Sequence, residues 1–229
     1  MKDIYNTLDH SDLSEETYFT LKEKILLRQL KPGSKISINE VASGLGVSRT
    51  PVVVALQRLA GEGLVVIHPR RGSFVKGITA EEVEDVFEVR RMFELYAAQF
   101  ILENGLVRQF LEAVRTAESL MDQAVSGEEY LDYPSFMQGD RNFHTILVEQ
   151  TGNGRIVDIY RDLNVHIHVA RAHYVDDVEN AYQIQREHKL FIDALQRGNL
   201  EETQAVLNAH INNVKSRIVR LIKDEGGLI

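Results

Sequence analysis

The sequence predicts a mainly α fold: an N-terminal winged helix-turn-helix followed by an antiparallel bundle of about six helices. Three observations carry this. Residues 14–76 hold three helical patterns and then two β-like runs around a Pro-Arg-Arg-Gly turn. From Thr79 onward the apolar spacing is helical throughout, broken by turn signals into pieces of about 20 residues. The charge divides at the same place. The chain carries a net −8, yet residues 14–76 hold ten Lys and Arg against five Asp and Glu, a surplus of +5 that leaves −13 elsewhere. We therefore place one domain at residues 1–76, a second at 77–229, and the joint at Gly77 to Thr79.

Residues 15–30 set Tyr18, Leu21, Ile25 and Leu26 at helical spacing, and Lys31-Pro32-Gly33-Ser34 stops that helix. Lys35-Ile36-Ser37 is short and extended. A second helix runs from about Ile38 to Leu45, with Gly46 suited to the left-handed position after it. A third begins at Ser48, a good N-cap residue, tolerates Pro51 in its first turn, and ends at Gly61-Glu62-Gly63. Its Val52, Ala55, Leu56 and Leu59 share a face that should be buried. Thr50, Val54, Gln57 and Gly61 lie opposite, flanked by Val53 and Arg58. Leu64–His68 and Ser73–Lys76 then read as strands. Beyond Thr79, breaks at Asn104-Gly105, Ser126-Gly127, Thr151–Gly154, Asp176-Asp177 and Gly198-Asn199 leave long helices with short connections, as a bundle needs.

Bulk properties remove several classes of function. Apolar residues make up 44% and charged residues 26%, an ordinary globular balance. Cysteine is absent, so no disulfide framework exists, which fits a reducing cytosol. The first 16 residues lack the apolar segment of a signal peptide, and no run approaches the length of a membrane span. The expectation is a cytoplasmic protein with no membrane partner.

The basic N-terminal module fits duplex DNA. Two helices joined by a Gly-containing turn, the second starting at Ser48, form a helix-turn-helix. Arg49 and Thr50 lie in the first turn of the second helix, where recognition helices reach bases and phosphates. Arg58 lies on its flank. Arg70, Arg71 and Gly72 form the tip of a wing: two cations beside a residue that lets the backbone approach a groove. These six residues are the candidate DNA contacts. The run Val47-Ser48-Arg49-Thr50-Pro51-Val52, with Ala55-Leu56, Arg58-Leu59, Glu62-Gly63-Leu64 and Arg71-Gly72-Ser73-Phe74-Val75, resembles the GntR family of transcription regulators. This sequence departs from the family at Val53-Val54, where relatives usually carry Arg-Glu, and at Asn39, near which an Arg is common. An exposed valine there is suited to thymine methyl groups.

In the C-terminal region, four ionisable side chains sit on apolar faces. Asp140 and His144 project from one side of one helix, beside Phe136, Phe143 and Leu147. His188 lies with Ile184, Phe191, Ile192 and Leu195, and His210 with Val206, Leu207, Ile211 and Val214. Singly, each His reads as a core histidine. Jointly, one Asp and three His facing into a bundle are a set of metal ligands. Asp140-Arg141-Asn142-Phe143-His144, Glu187-His188 and Ala209-His210-Ile211 resemble the effector domain of the FadR-like GntR subfamily, the FCD type. The resemblance implies an all-helical domain holding a divalent metal, with a small carboxylic acid bound beside it. Imidazole-rich ligation favours Zn or Ni, with Mn or Fe also compatible. Arg90, on the stripe of Val83, Val86 and Phe87, is the candidate for the effector carboxylate; the competing reading is a surface pair with Glu94. His166, His168, His173, Arg161 and Arg171 lie on or near one helix and read as a solvated face, the competing reading being that some of them line the pocket.

The expected function is a homodimeric, metabolite-responsive repressor whose two winged helices meet two-fold-related half-sites. Two alternatives stand beside it: a DNA-binding protein with a purely structural metal, and a metal-dependent hydrolase. Glu187 adjoins His188 in sequence but points about 100° away from it on a helix, so no general base is evident.

Overall fold

The computed structural model describes residues 11–26, 29–171 and 178–227. It consists of two compact units, Met1–Gly77 and Ile78–Ile229.

In the first unit, α1 (Ser11–Leu26), α2 (Ile38–Leu45) and α3 (Arg49–Gly61) accompany a three-stranded antiparallel sheet. The sheet order is β1 (Lys35–Ile36), β3 (Gly72–Val75), β2 (Val65–His68). Helix α1 is described as far as Leu26, and residues 29–30 beyond it are no longer helical. Gly46 takes the left-handed conformation, φ 67°, that ends α2 and starts the turn into α3. Ser48 is the N-cap of α3, as expected, but its side chain makes no capping hydrogen bond. Tyr18, Leu21 and Ile25 of α1 and Val52, Ala55, Leu56 and Leu59 of α3 are all buried. This apolar interior is what holds α3 with its opposite face outward.

In the second unit, α4 (Ala80–Glu103), α5 (Val107–Gln123), α6 (Tyr133–Glu149), α7 (Gly154–Arg171), α8 (Val178–Arg197) and α9 (Leu200–Asp224) form the bundle. Thr79 and Glu82 make a reciprocal capping box at the start of α4. The break at Ser126-Gly127 holds a hairpin that the sequence reading lacks: β4 (Val125–Ser126) pairs with β5 (Glu129–Tyr130). Strands of two residues are too short to leave a period-two signal. Asp176-Asp177 lies outside the described residues. Helix α4 packs against α6, α7 and α9, α5 against α6 and α8, and α8 against α9. At Gly139, α6 meets α5 backbone to backbone: a Cβ there would stand 2.6 Å from the Ala117 carbonyl oxygen. This close approach seats the next residue, Asp140, deep in the bundle.

Candidate functional site

The candidate DNA-reading surface is built from exposed residues on a packed frame. Arg49, Thr50, Val53, Val54 and Gln57 all face outward on α3. At the wing, Arg70 adopts the left-handed conformation, φ 64°, and Gly72 stands at φ 107°. A left-handed Arg is strained by roughly 1–2 kcal/mol, which the strands on either side must hold. Gly72 has a second constraint: a Cβ there would lie 3.0 Å from Cε of Lys35. The Lys35 side chain therefore lies against Gly72 and brings a further cation to the wing. The sequence reading has Lys35 in a short extended run but not at the wing, because strand pairing across 37 residues brings it there.

Arg58 is engaged differently from the other candidate contacts. Its guanidinium stacks on the Tyr18 ring, 3.7 Å from the centroid, and lies 3.8 Å from both Glu15 and Glu62. Tyr18 and Lys22 also bond Glu62, at 2.6 and 2.8 Å. These bonds overcome the penalty of partial burial and hold the Glu62 carboxyl below its ordinary range. Arg58 thus clamps α3 to α1.

In the second unit the structure brings Asp140, His144, His188 and His210 together, all buried. Nε2 of His144 lies 3.2 Å from Nε2 of His188 and 3.2 Å from Nε2 of His210. Asp140 Oδ1 is 3.7 Å from the His144 nitrogen and 3.6 Å from that of His188. Phe143 stacks flat on His188, centroids 4.0 Å apart, and fixes its ring plane.

The outward nitrogens explain this convergence. His144 Nδ1 bonds Glu94 Oε2 at 3.0 Å, and His210 Nδ1 bonds Glu187 Oε2 at 2.8 Å. An ionised carboxylate only accepts, so each Nδ1 carries the proton. The two Nε2 atoms must then face each other with lone pairs, 3.2 Å apart. Such an arrangement is repulsive unless a cation lies between them. Two nitrogens about 2.0–2.1 Å from one tetrahedral metal stand roughly 3.3 Å apart, so the donor set fits a metal ion. Burial and the Arg90 charge push His144 below its ordinary value, and burial does the same to His210. Neutral imidazole is the form that ligates.

Around this centre lies a second tier of charge. Glu94, fully buried, accepts from Arg90 Nε and from the Tyr160 hydroxyl with Oε1, each at 2.5 Å. Burial alone would raise Glu94, but Arg90 and His144 outweigh it and hold the carboxyl low. Burial and the Glu94 charge push the Tyr160 phenol well up. Arg90 therefore does pair with Glu94, but inside the bundle rather than on the helix surface. Its two terminal nitrogens have no hydrogen-bond partner among the described residues. Glu187 accepts from Gln183 and Asn213 as well as from His210, and these bonds hold it low against burial.

Sequence reasoning missed Glu94, Tyr160 and Glu187 as parts of the site. Glu94 was legible, since it continues the buried stripe of Val83, Phe87 and Arg90. Glu187 does point away from His188, but toward His210 on the next helix. Arg161 is exposed and bonds Glu149, as a solvated face predicts. The side chains of His166, His168, Arg171 and His173 lie outside the described residues. Among the described residues, no helix is long and apolar enough to cross a membrane.

Comparison with known proteins completes the assignment. Residues 13–75 match the model of bacterial regulatory proteins of the gntR family, and residues 85–213 match the FCD domain. The chain is 30% identical over 217 residues to an uncharacterized HTH-type transcriptional regulator in an unstable DNA locus of Streptomyces ambofaciens, covering 90% of this chain and 85% of the relative. It is 27% identical over 218 residues to the HTH-type transcriptional repressor RspR of Escherichia coli K12, with coverage of 93% and 91%. A crystal structure of a GntR transcriptional regulator from Rhodococcus sp. RHA1 shares the fold, with TM-score 0.70, 24% identity and coverage of 90% and 97%. A winged helix with cations at its tip and a helical FCD bundle, matched over most of the chain, make this protein a member of the GntR family, FadR-like in its FCD domain: a DNA-binding transcription regulator.

Proposed function

We propose that the protein is a homodimeric repressor that releases its operator when a small carboxylic acid binds beside a divalent metal. Asp140, His144, His188 and His210 would hold the metal, with Zn or Ni favoured by the imidazoles and Mn or Fe also compatible. The observation that carries this reading is the convergence of Nε2 atoms whose Nδ1 protons are tied to buried carboxylates. A bound divalent ion supplies a fixed positive charge to which a carboxylate is drawn. Arg90 offers a pair of terminal donors to the same acid, in the fork that carboxylates match. Those donors favour a ligand over a purely structural metal. A hydrolase is disfavoured because Glu187 is committed to His210, Asn213 and Gln183.

On the DNA side, Arg49 and Thr50 would contact the major groove, and Arg70, Arg71 and Gly72 the backbone beside it. We assign Arg58 to packing, on its contact with Tyr18. Val53 and Val54, 37% and 45% exposed, would meet thymine methyls. Replacing dT by dU in selected sites should then weaken the wild type and leave Val54→Ala unchanged. Repression is extended from the E. coli relative's name.

The test is thermal-shift screening of carboxylic acids on the metal-loaded full chain, paired with operator binding by fluorescence anisotropy. A ligand of the folded state raises stability by mass action. The expected hit raises Tm and weakens DNA binding, and a chelator abolishes both responses. DNA binding indifferent to every acid and to the chelator overturns the sensing model.

A further inference from the structure

One carboxylate touches both halves of the buried site. Glu94 Oε1 receives Arg90 Nε and the Tyr160 hydroxyl, while Oε2 receives His144 Nδ1. These partners come from α4, α7 and α6. We propose that Glu94 is a positioning residue through which occupancy of Arg90 is felt at the metal centre, and the reverse. The inference rests on the metal-and-carboxylate reading above and adds the route between the two ligands.

The physical basis is charge sharing. Arg90 and His144 draw on the same carboxylate, so strengthening one interaction weakens the other. A carboxylate ligand on the terminal nitrogens of Arg90 would share the guanidinium charge. Glu94 would then become a stronger acceptor for His144 Nδ1, and its imidazole a better donor at Nε2. Metal and acid should therefore favour each other's binding, and by linkage the factor must be the same in both directions. Tyr160, donating to the same oxygen as Arg90, tunes Glu94 in the same sense.

The full chain titrated with Co²⁺ alone tests this, read by Kd and by the visible absorption bands of the ion. Glu94→Gln should weaken Co²⁺ about ten- to hundred-fold and shift the bands. Arg90→Met should shift them the opposite way and tighten binding. In the Glu94→Gln background that Arg90→Met effect should disappear. An Arg90→Met effect of equal size in both backgrounds overturns the proposal, since a through-space effect of the Arg90 charge is additive. If circular dichroism shows Glu94→Gln unfolded, Tyr160→Phe replaces it. Tyr160→Phe should move the bands as Arg90→Met does, by less, and the two should be non-additive; additivity overturns the link. His144→Ala serves as the separate control. Unchanged Co²⁺ affinity in that variant overturns the metal reading itself, whereas loss of affinity with an additive cycle overturns only the link.

Discussion

The same Arg-x-x-x-Glu spacing occurs at Arg58–Glu62 in the DNA-reading unit and at Arg90–Glu94 in the bundle. In the first, Nε stands 3.8 Å from the carboxylate, and the side chains are 50% and 25% exposed. In the second the distance is 2.5 Å and the exposures are 1% and 0%. Arg58 keeps contact with water and spends its planar face on Tyr18. Arg90 is buried away from bulk solvent, and Glu94 is its sole hydrogen-bonded counterion among the described residues. An exposed pair of this kind contributes little, because solvent screens it. A buried pair costs several kcal/mol in desolvation, so its persistence inside a bundle points to use rather than to stability. The two units thus handle charge in opposite ways. One displays its cations to a polyanion, and the other stores charge around a central site.

The largest expected effect separates the two pairs directly. Glu94→Ala leaves Arg90 buried without its partner and should cost about 3–5 kcal/mol in chemical denaturation of the full chain. Glu62→Ala should cost at most about 1 kcal/mol. Equal losses would erase the distinction. Next is Gly139→Ala, which forces a methyl onto the Ala117 carbonyl and should cost about 1–3 kcal/mol in the bundle transition. No loss there would mean that α5 and α6 part easily.

In the DNA-reading unit the effects should fall on binding rather than on folding. Arg70→Ala with Arg71→Ala should reduce the salt slope of DNA binding by about two while Tm stays within a degree or so. A large Tm loss with an unchanged slope would assign the wing to packing. The smallest effect belongs to Arg58→Ala, about 0.5–1 kcal/mol from the ring contact with Tyr18. Its DNA salt slope should not change. A slope reduced by about one would return Arg58 to the DNA-contacting set.

Legibility in the sequence followed the same division. The outward face of α3 and the wing were readable because local spacing decides which side of a short helix is apolar, and turn chemistry places a hairpin tip. Asp140 and His144 were readable as neighbours because they lie one helical turn apart. Lys35 at the wing was not, since only pairing of β1 with β3 carries it there. Glu187 adjoins His188 in the sequence, while its partner His210 lies 23 residues on.

By itself the sequence determined the helical periods, the winged module, the family and the four inward-facing ionisable residues. Each of these depends on spacing within one element or on a motif of contiguous residues. Only the tertiary structure decided that Glu94 reaches His144 across 50 residues and Tyr160 across 66. It also decided that two carboxylates set the proton positions on the histidines. The physical reason is that the energy of a charge depends on what surrounds it in space, and in this bundle those surroundings come from four other helices.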